Sequence, residues 1–399
     1  MTDKACPTPE PFSAMVGTVI FLTVLFFLTF ISRFIFAPLM PTIGQDLALS
    51  PSQAGSIFLV GSIGVLIASF LSGFVSSKIN HRGSLILSLV ITGLALLACA
   101  FASSLQWLQV CFFFIGIAAG INLPSNIATI TAMVNPQDWG KALSVQQLGP
   151  PLSLVLGPLL AVAFLAWFSW RIALMSLGVL CILVALGYLR FGKCGDFPGD
   201  APKPALLREL LTTRPFWVMV VLFAFAMGGQ VGVYTMLPLY LVTDHGMNPD
   251  SANTLVGLAQ ISGLFMTFVA GWVTDKIGEK KAMAIFLIAA GIATVLLGSL
   301  SGTGLKVIIF LQPAVGVCFF PAAFSALSRI VQPNMRSLAA AFAPPTAFLL
   351  GGGLFPMALG YMGQTYSFGL GISLAGCIIA VGSVLVIFIR LLEKMEDGC

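Results

Sequence analysis

Few residues in this chain are able to do chemistry, and most of them stand inside long apolar runs. Arg33 lies in Phe30-Ile31-Ser32-Arg33-Phe34-Ile35, about two thirds of the way along the first run. Asn122 and Asn126 are one helical turn apart in the fourth run, as are Gln230 and Tyr234 in the seventh. Residues at that spacing share a helix face. Gln146, Gln260 and Gln312 stand in the fifth, eighth and tenth runs. An arginine keeps its proton at accessible pH, and its planar fork matches a carboxylate, sulfonate or phosphate. Deep in a membrane its charge costs at least ~2.5 kcal/mol, which some partner must offset. A bound organic anion would serve. Backbone carbonyls or Gln and Asn side chains would also serve, and Arg33 would then be structural or part of a gate. The amides and Tyr234 offer hydrogen bonds either to a solute or to neighbouring helices. Phe26, Phe30 and Phe34 are expected to pack against lipid or neighbouring side chains.

The missing groups bound the chemistry as firmly. All fourteen Asp and Glu residues fall in termini, loops or the ends of runs. The chain therefore offers no mid-membrane carboxylate whose raised pKa could carry a proton. The two histidines, His81 and His245, lie near opposite surfaces. Without a His, Cys, Asp or Glu cluster, neither a metal site, a cofactor nor a membrane enzyme is expected. The eight cysteines form no Cys-x-x-Cys pair and read as small apolar fillers or free thiols. Neither a ring of charge nor a filter motif suggests a channel.

The elements that must hold these residues are membrane helices. Of 399 residues, 58% are hydrophobic and only 8% charged, against roughly 25% charged in soluble domains. Twelve apolar runs are long enough to span: 15–41, 52–75, 84–103, 106–131, 141–166, 171–190, 215–242, 252–274, 282–300, 306–329, 337–361 and 367–391. They do not alternate at period two, which argues against a β-barrel. The polar first eleven residues lack the pattern of a cleaved signal, so the first run is expected to stay in the protein. Sixteen of the nineteen Lys and Arg residues fall on the side of the termini. The positive-inside rule then predicts a multi-pass inner (plasma) membrane protein of bacterial type with both termini cytoplasmic. The net charge of +5 reflects this topology and does not point to nucleic acid.

The chain repeats itself at half its length. An offset of 198 pairs Asp46 with Asp244, Pro51 with Pro249, Gly73 with Gly271 and Lys78 with Lys276. Further on, with a small slip, Pro150-Pro151 and Gly157 pair with Pro344-Pro345 and Gly351. The expected units are a six-helix bundle over 1–190, a cytoplasmic linker over 191–214 and a second six-helix bundle over 215–399. The linker's Gly195–Pro202 stretch should be irregular, and Ala205 to Leu211 should form a short amphipathic surface helix.

Two loops carry a family resemblance. Gly73-Phe74-Val75-Ser76-Ser77-Lys78-Ile79-Asn80-His81-Arg82 and Gly271-Trp272-Val273-Thr274-Asp275-Lys276-Ile277-Gly278-Glu279-Lys280 resemble the signature loop of the major facilitator superfamily, Gly-x-x-x-Asp-basic-x-Gly-x-basic. The second copy fits well. The first has Ser77 in place of Asp and Asn80 in place of Gly. Gly149-Pro150 and Gly157-Pro158 resemble the family's Gly/Pro-rich fifth helix, and Trp170-Arg171 is also familiar.

The resemblance implies an all-α fold of two pseudo-symmetric six-helix bundles, with helices 3, 6, 9 and 12 outermost. Those four predicted helices hold no Asn, Gln or His. It implies a cavity lined by helices such as 1, 4, 7 and 10, and a loop whose carboxylate latches the bundles. Asp275 could serve as that carboxylate; Ser77 could not. The basic loop residues Lys78, Arg82 and Lys276 would otherwise only set topology. The Gly/Pro motifs, including Pro344-Pro345, would bend helices or simply pack them. The expected function is transport of a small solute, foremost a small organic anion held at Arg33 by a helix 1 arginine like that of organic-anion and organophosphate members. The alternative is export of hydrophobic, drug-like compounds. The expected partners are that solute, a co-transported proton or other ion, and membrane lipid, with the chain acting as a monomer.

Overall fold

In lipid no water can bond a backbone N–H or C=O, so apolar runs of this length must close their bonds internally as helices. The computed structural model describes residues 9–199, 204–332 and 335–389. Among these, the spanning helices are Phe12–Asp46 (α1), 51–79 (α2), 81–100 (α3), Leu105–Met133 (α4), Pro136–Leu165 (α5) and Trp170–Phe191 (α6). The second set is Arg214–Thr243 (α7), Pro249–Ile277 (α8), Glu279–Ser299 (α9), Gly302–Arg329 (α10), Leu338–Thr365 (α11) and Phe368–Phe388 (α12). Each expected run is met within a few residues. α2 and α3 form one helical stretch, Pro51–Ala100, that turns at Asn80. Asn80 has φ 62° and ψ 169°, and its repeat partner Gly278 has φ 82° and ψ 156°. Both loops therefore need a conformation that suits glycine, and the first half makes it with an asparagine.

The outermost helices are α3, α6, α9 and α12. Leu94, Leu183, Ile292 and Val381 on them are more than half exposed. That surface suits lipid, which explains why these helices hold no amide side chains. The expectation for the outer layer is met.

Inner helices are interrupted at mid-depth. α1 breaks at Ile35, α5 at Gln147-Leu148 and α10 at Val317-Cys318. Each break lies just before a proline: Pro38, Pro150 or Pro321. A proline withholds the bond to the carbonyl four residues earlier and its ring crowds that carbonyl. α7 and α11 are interrupted by π-turns at Gly228–Gly232 and Leu349–Leu354. The two π-turns pack on each other, and a Cβ on Gly232 would lie 2.5 Å from the Gly351 carbonyl. Of the expected bending residues, Gly149-Pro150 sits at a break, whereas Gly157, Pro158, Pro344 and Pro345 lie within helical segments. In α11 the irregularity falls further on, at Gly351-Gly352-Gly353.

The odd-numbered loops make one face, opposite the face of the linker. Towards that odd-loop face the two bundles are seated on each other. Asn253 Nδ2 on α8 donates to the Pro38 carbonyl on α1 at 3.0 Å. Gly55 on α2 lies so close to α11 that a Cβ would overlap the Pro356 carbonyl, and Gly360 lies as close to the Pro51 carbonyl. A repeated tie secures each half there. Asp46 accepts from Trp170 Nε1 at 3.1 Å and pairs with Arg171. Its counterpart Asp244 accepts from the Gly369 backbone N–H at 3.1 Å. The offset of 198 relates the acids and also Arg171 to Gly369.

On the opposite face the linker docks on the α2–α3 loop. Arg82 donates to Asp196 at 3.0 Å and to the Leu189 carbonyl at 2.9 Å. The backbone N–H groups of His81 and Arg82 bond the carbonyls of Phe197 and Gly195. The expected surface helix is present over Pro204–Thr212. One cysteine departs from the free-thiol expectation: Cys194 in this linker is disulfide-bonded, whereas Cys99, Cys111, Cys181 and Cys318 are free and buried.

Candidate functional site

The break in α1 places Arg33 at mid-depth between the bundles. Only 7% of the residue is exposed. Its guanidinium carbon lies 4.7 Å from the Phe30 ring centre, 5.5 Å from that of Phe34 and 5.1 Å from that of Phe348. Phe30 and Phe34 stand on its own helix, and Phe348 comes from α11 across the interface. Its Nε is buried and unbonded, and no described residue is hydrogen-bonded or ion-paired to it. The enclosed space beside it is lined by Phe34, Phe58, Ser62 and Phe112 of the first half and by Val231, Thr235, Phe348 and Gly352 of the second. Its free volume is about 10 Å³, the room of one water. The repeat offset carries Arg33 onto Val231, and both face this space, so it lies where the two repeats meet.

The polar content of this space is small. Ser62 Oγ donates to the Leu59 carbonyl at 2.7 Å and Thr235 Oγ1 to the Gly232 carbonyl at 2.8 Å. Both hydroxyl hydrogens are thus turned towards their own helices. Three cation–π contacts surround Arg33, each worth about 2 kcal/mol when desolvated. A buried guanidinium has five N–H donors and loses several kcal/mol of hydration. The rings compensate in part and leave the donors unbonded.

Most of the other polar residues expected to face a solute have local partners. Asn122 Nδ2 donates to Ser88 Oγ on α3 at 3.2 Å, and Asn126 Nδ2 to the Leu22 carbonyl on α1 at 2.9 Å. Gln312 Nε2 donates to the Gly229 carbonyl at 2.8 Å, inside the π-turn of α7. Tyr234 donates to the Leu154 carbonyl of the other half at 3.2 Å, and its ring meets Phe34 edge-on at 5.9 Å. Gln146, beside the break in α5, is fully buried with both amide atoms unbonded. Gln230 is buried with its Oε1 unbonded, facing Gly316 on α10, and Gln260 is buried on α8. The structure thus brings Tyr234 to Phe34 beside Arg33 and places Asn122, Asn126 and Gln312 in ties between helices.

The signature loops divide in the same way. Gly73 is half-buried and Lys78 exposed on the last turns of α2, ahead of the docked Arg82. Lys276 lies 3.8 Å from the Trp272 ring centre. Asp275 is exposed and forms none of the ion pairs among the described residues, while Glu279 pairs with Arg329 of α10 at 2.7 Å. Gly271 has open space around it.

The sequence reading missed Phe348 and placed Phe30 and Phe34 against lipid or neighbours. A phenylalanine just before Gly351-Gly352-Gly353 was the available signal, because small residues let a large ring reach a facing helix.

The described residues thus form twelve spanning helices in two related bundles that meet around a buried cation, the architecture of a multi-pass membrane protein. The chain belongs to the Major Facilitator Superfamily, whose model matches residues 22–343 and again 226–398. It is 25% identical over 390 residues to a gallate transporter of Pseudomonas putida, covering 88% of this chain and 83% of that one. It is 24% identical over 377 residues to a 4-hydroxybenzoate transporter of the same species, covering 83% and 81%. Over 282 residues it is 27% identical to a hexuronate transporter of Bacillus subtilis, covering 66% and 65%. Among solved structures, the inward-open xylose transporter of E. coli superposes with a TM-score of 0.76 at 16% identity, covering 96% of this chain and 98% of that one. A bacterial homologue of the human lysosomal transporter Spinster, inward-facing and occupied, gives 0.74 at 18% identity, covering 95% of each.

Proposed function

We propose that this transporter carries a small organic anion across the inner membrane by alternating access, with Arg33 binding the anionic group. The observation that supports this most is the guanidinium itself, buried between the bundles with no hydrogen bond or ion pair. A charge so placed is costly unless something pairs with it. A carboxylate entering the interface would supply two charge-assisted hydrogen bonds in the geometry of the fork. The relatives that carry gallate, 4-hydroxybenzoate and hexuronate all move carboxylates, which agrees with this reading.

The places where the halves touch support alternating access. The close seats of Gly55 and Gly360 lie towards the odd-loop face, and an anion bridging Arg33 to the second half would link occupancy to their closing. The excess of basic residues on the other face supports a cytoplasmic side for both termini. The two bundles, 1–190 and 215–399, would rock about this site while residues 191–214 tether them. No described span holds a mid-depth carboxylate, so a co-transported proton would travel with the anion rather than on a dedicated protein group. In this reading the transporter works as a monomer in lipid.

The test is anion binding to the purified protein, followed by thermal stabilisation, in wild type and Arg33→Gln. Affinity should fall about thirtyfold or more in the variant, the scale of removing one partner of a buried charge pair. Equal stabilisation of both proteins by neutral hydrophobic compounds, with no anion effect, would instead support the exporter reading.

A further inference from the structure

The Arg33 site can be read for the class of anion it takes. This inference rests on the proposal that Arg33 binds the anionic group. We propose that the site selects planar aromatic monocarboxylates, with the Phe348 ring of the second half closing over the bound ring.

The argument starts from what the space could satisfy. Arg33 is its one charged group, and the Ser62 and Thr235 hydroxyls, which donate to their own helices, offer a solute only their two oxygens as acceptors. A sugar acid or sugar phosphate would bring several hydroxyls into this space. Each one left without a partner carries a desolvation penalty. A solute with one carboxylate and an apolar body brings no hydroxyl of its own that needs a partner there.

The shape of the walls narrows the class further. Phe30, Phe34 and Phe348 surround the guanidinium, and Phe58 and Phe112 meet edge-on at 5.5 Å behind them. The ladder continues from Phe34 to Tyr234. Aromatic faces and edges favour another ring over an aliphatic body of equal area, because their quadrupoles attract when rings stack offset or meet edge to face.

The position of Phe348 adds a role in closure. Its ring touches a cation on the opposite bundle, directly before the π-turn that packs against α7. The space beside Arg33 now has room for one water, so an aromatic carboxylate enters only as the Phe348 ring draws away from the guanidinium; the carboxylate then neutralises the cation and the solute's ring takes the place of that contact. Phe348 can then exchange a cation–π contact for a ring–ring contact and keep the halves together around the solute.

The experiment measures affinities of the purified full-length protein for benzoate, cyclohexanecarboxylate and glucuronate, three monocarboxylates with different bodies. Wild type should bind benzoate a few-fold to about tenfold more tightly than cyclohexanecarboxylate, and about a hundredfold more tightly than glucuronate. Phe348→Leu should erase the preference of benzoate over cyclohexanecarboxylate, and Phe348→Tyr should keep it. If glucuronate binds as tightly as benzoate, or Phe348→Leu weakens benzoate and cyclohexanecarboxylate equally, the proposal is overturned while the anion reading survives. If none of the three binds in a manner that Arg33→Gln or Arg33→Lys alters, the anion reading falls and takes this inference with it.

Discussion

Arg33 is a buried charge with no hydrogen bond or ion pair to any described residue. Its burial is set by helix 1, its rings by both bundles, and its donors are unbonded. A structural arginine would hold the ligand-free protein together. An arginine reserved for a solute should weaken it, because replacing a buried unpaired charge by an apolar group of similar length removes a penalty. Arg33→Met should therefore raise the melting temperature of the ligand-free protein while abolishing stabilisation by anions. A fall in that temperature would return Arg33 to a structural role. The buried amides teach the complementary lesson. Asn122, Asn126 and Gln312 were legible as buried polar groups of inner helices. Their partners were not, because a tie to Ser88, Leu22 or Gly229 depends on how helices far apart in sequence come together.

Among the elements, the breaks in α1, α5 and α10 follow from proline chemistry and were open to sequence reasoning. The π-turns in α7 and α11 were not. Each needs an extra residue accommodated in a helix, and the facing glycines decide whether a neighbour fills the gap. The seat of α2 on α11 has the same origin. At Gly55 a side chain would run into the Pro356 carbonyl and the Met357 backbone, and backbone cannot swing aside as a side chain can. Gly55→Leu should hold the odd-loop face apart. Spin labels at Gln53 and Thr365 should then report a longer separation than in the unsubstituted protein. An unchanged distance distribution would show that closure does not depend on this seat.

In the whole molecule, the repeat organises both the ties and the site. Asp46 and Asp244 hold equivalent helix starts by different donors, and Asn80 and Gly278 turn equivalent loops. The proposed membrane orientation also belongs to this scale, since it rests on sixteen basic residues and no single contact. In a background without the natural cysteines, Ser103→Cys should react with an impermeant thiol reagent in intact cells. Ser77→Cys should react only after the membrane is opened. The reverse pattern would invert the topology.

The amino-acid sequence by itself determined the twelve spans, the two-fold repeat, the outer and inner helices and the depth of Arg33. Each follows from local quantities: the length of an apolar run, the cost of a charge in lipid, a proline's missing N–H. Only the tertiary structure decided which rings surround Arg33, that Phe348 reaches it from the other half, and that the Arg82 loop is held by the linker. Those outcomes depend on close approach between helices separated by hundreds of residues, and lipid-driven hydrophobicity says nothing about which small residues will permit it.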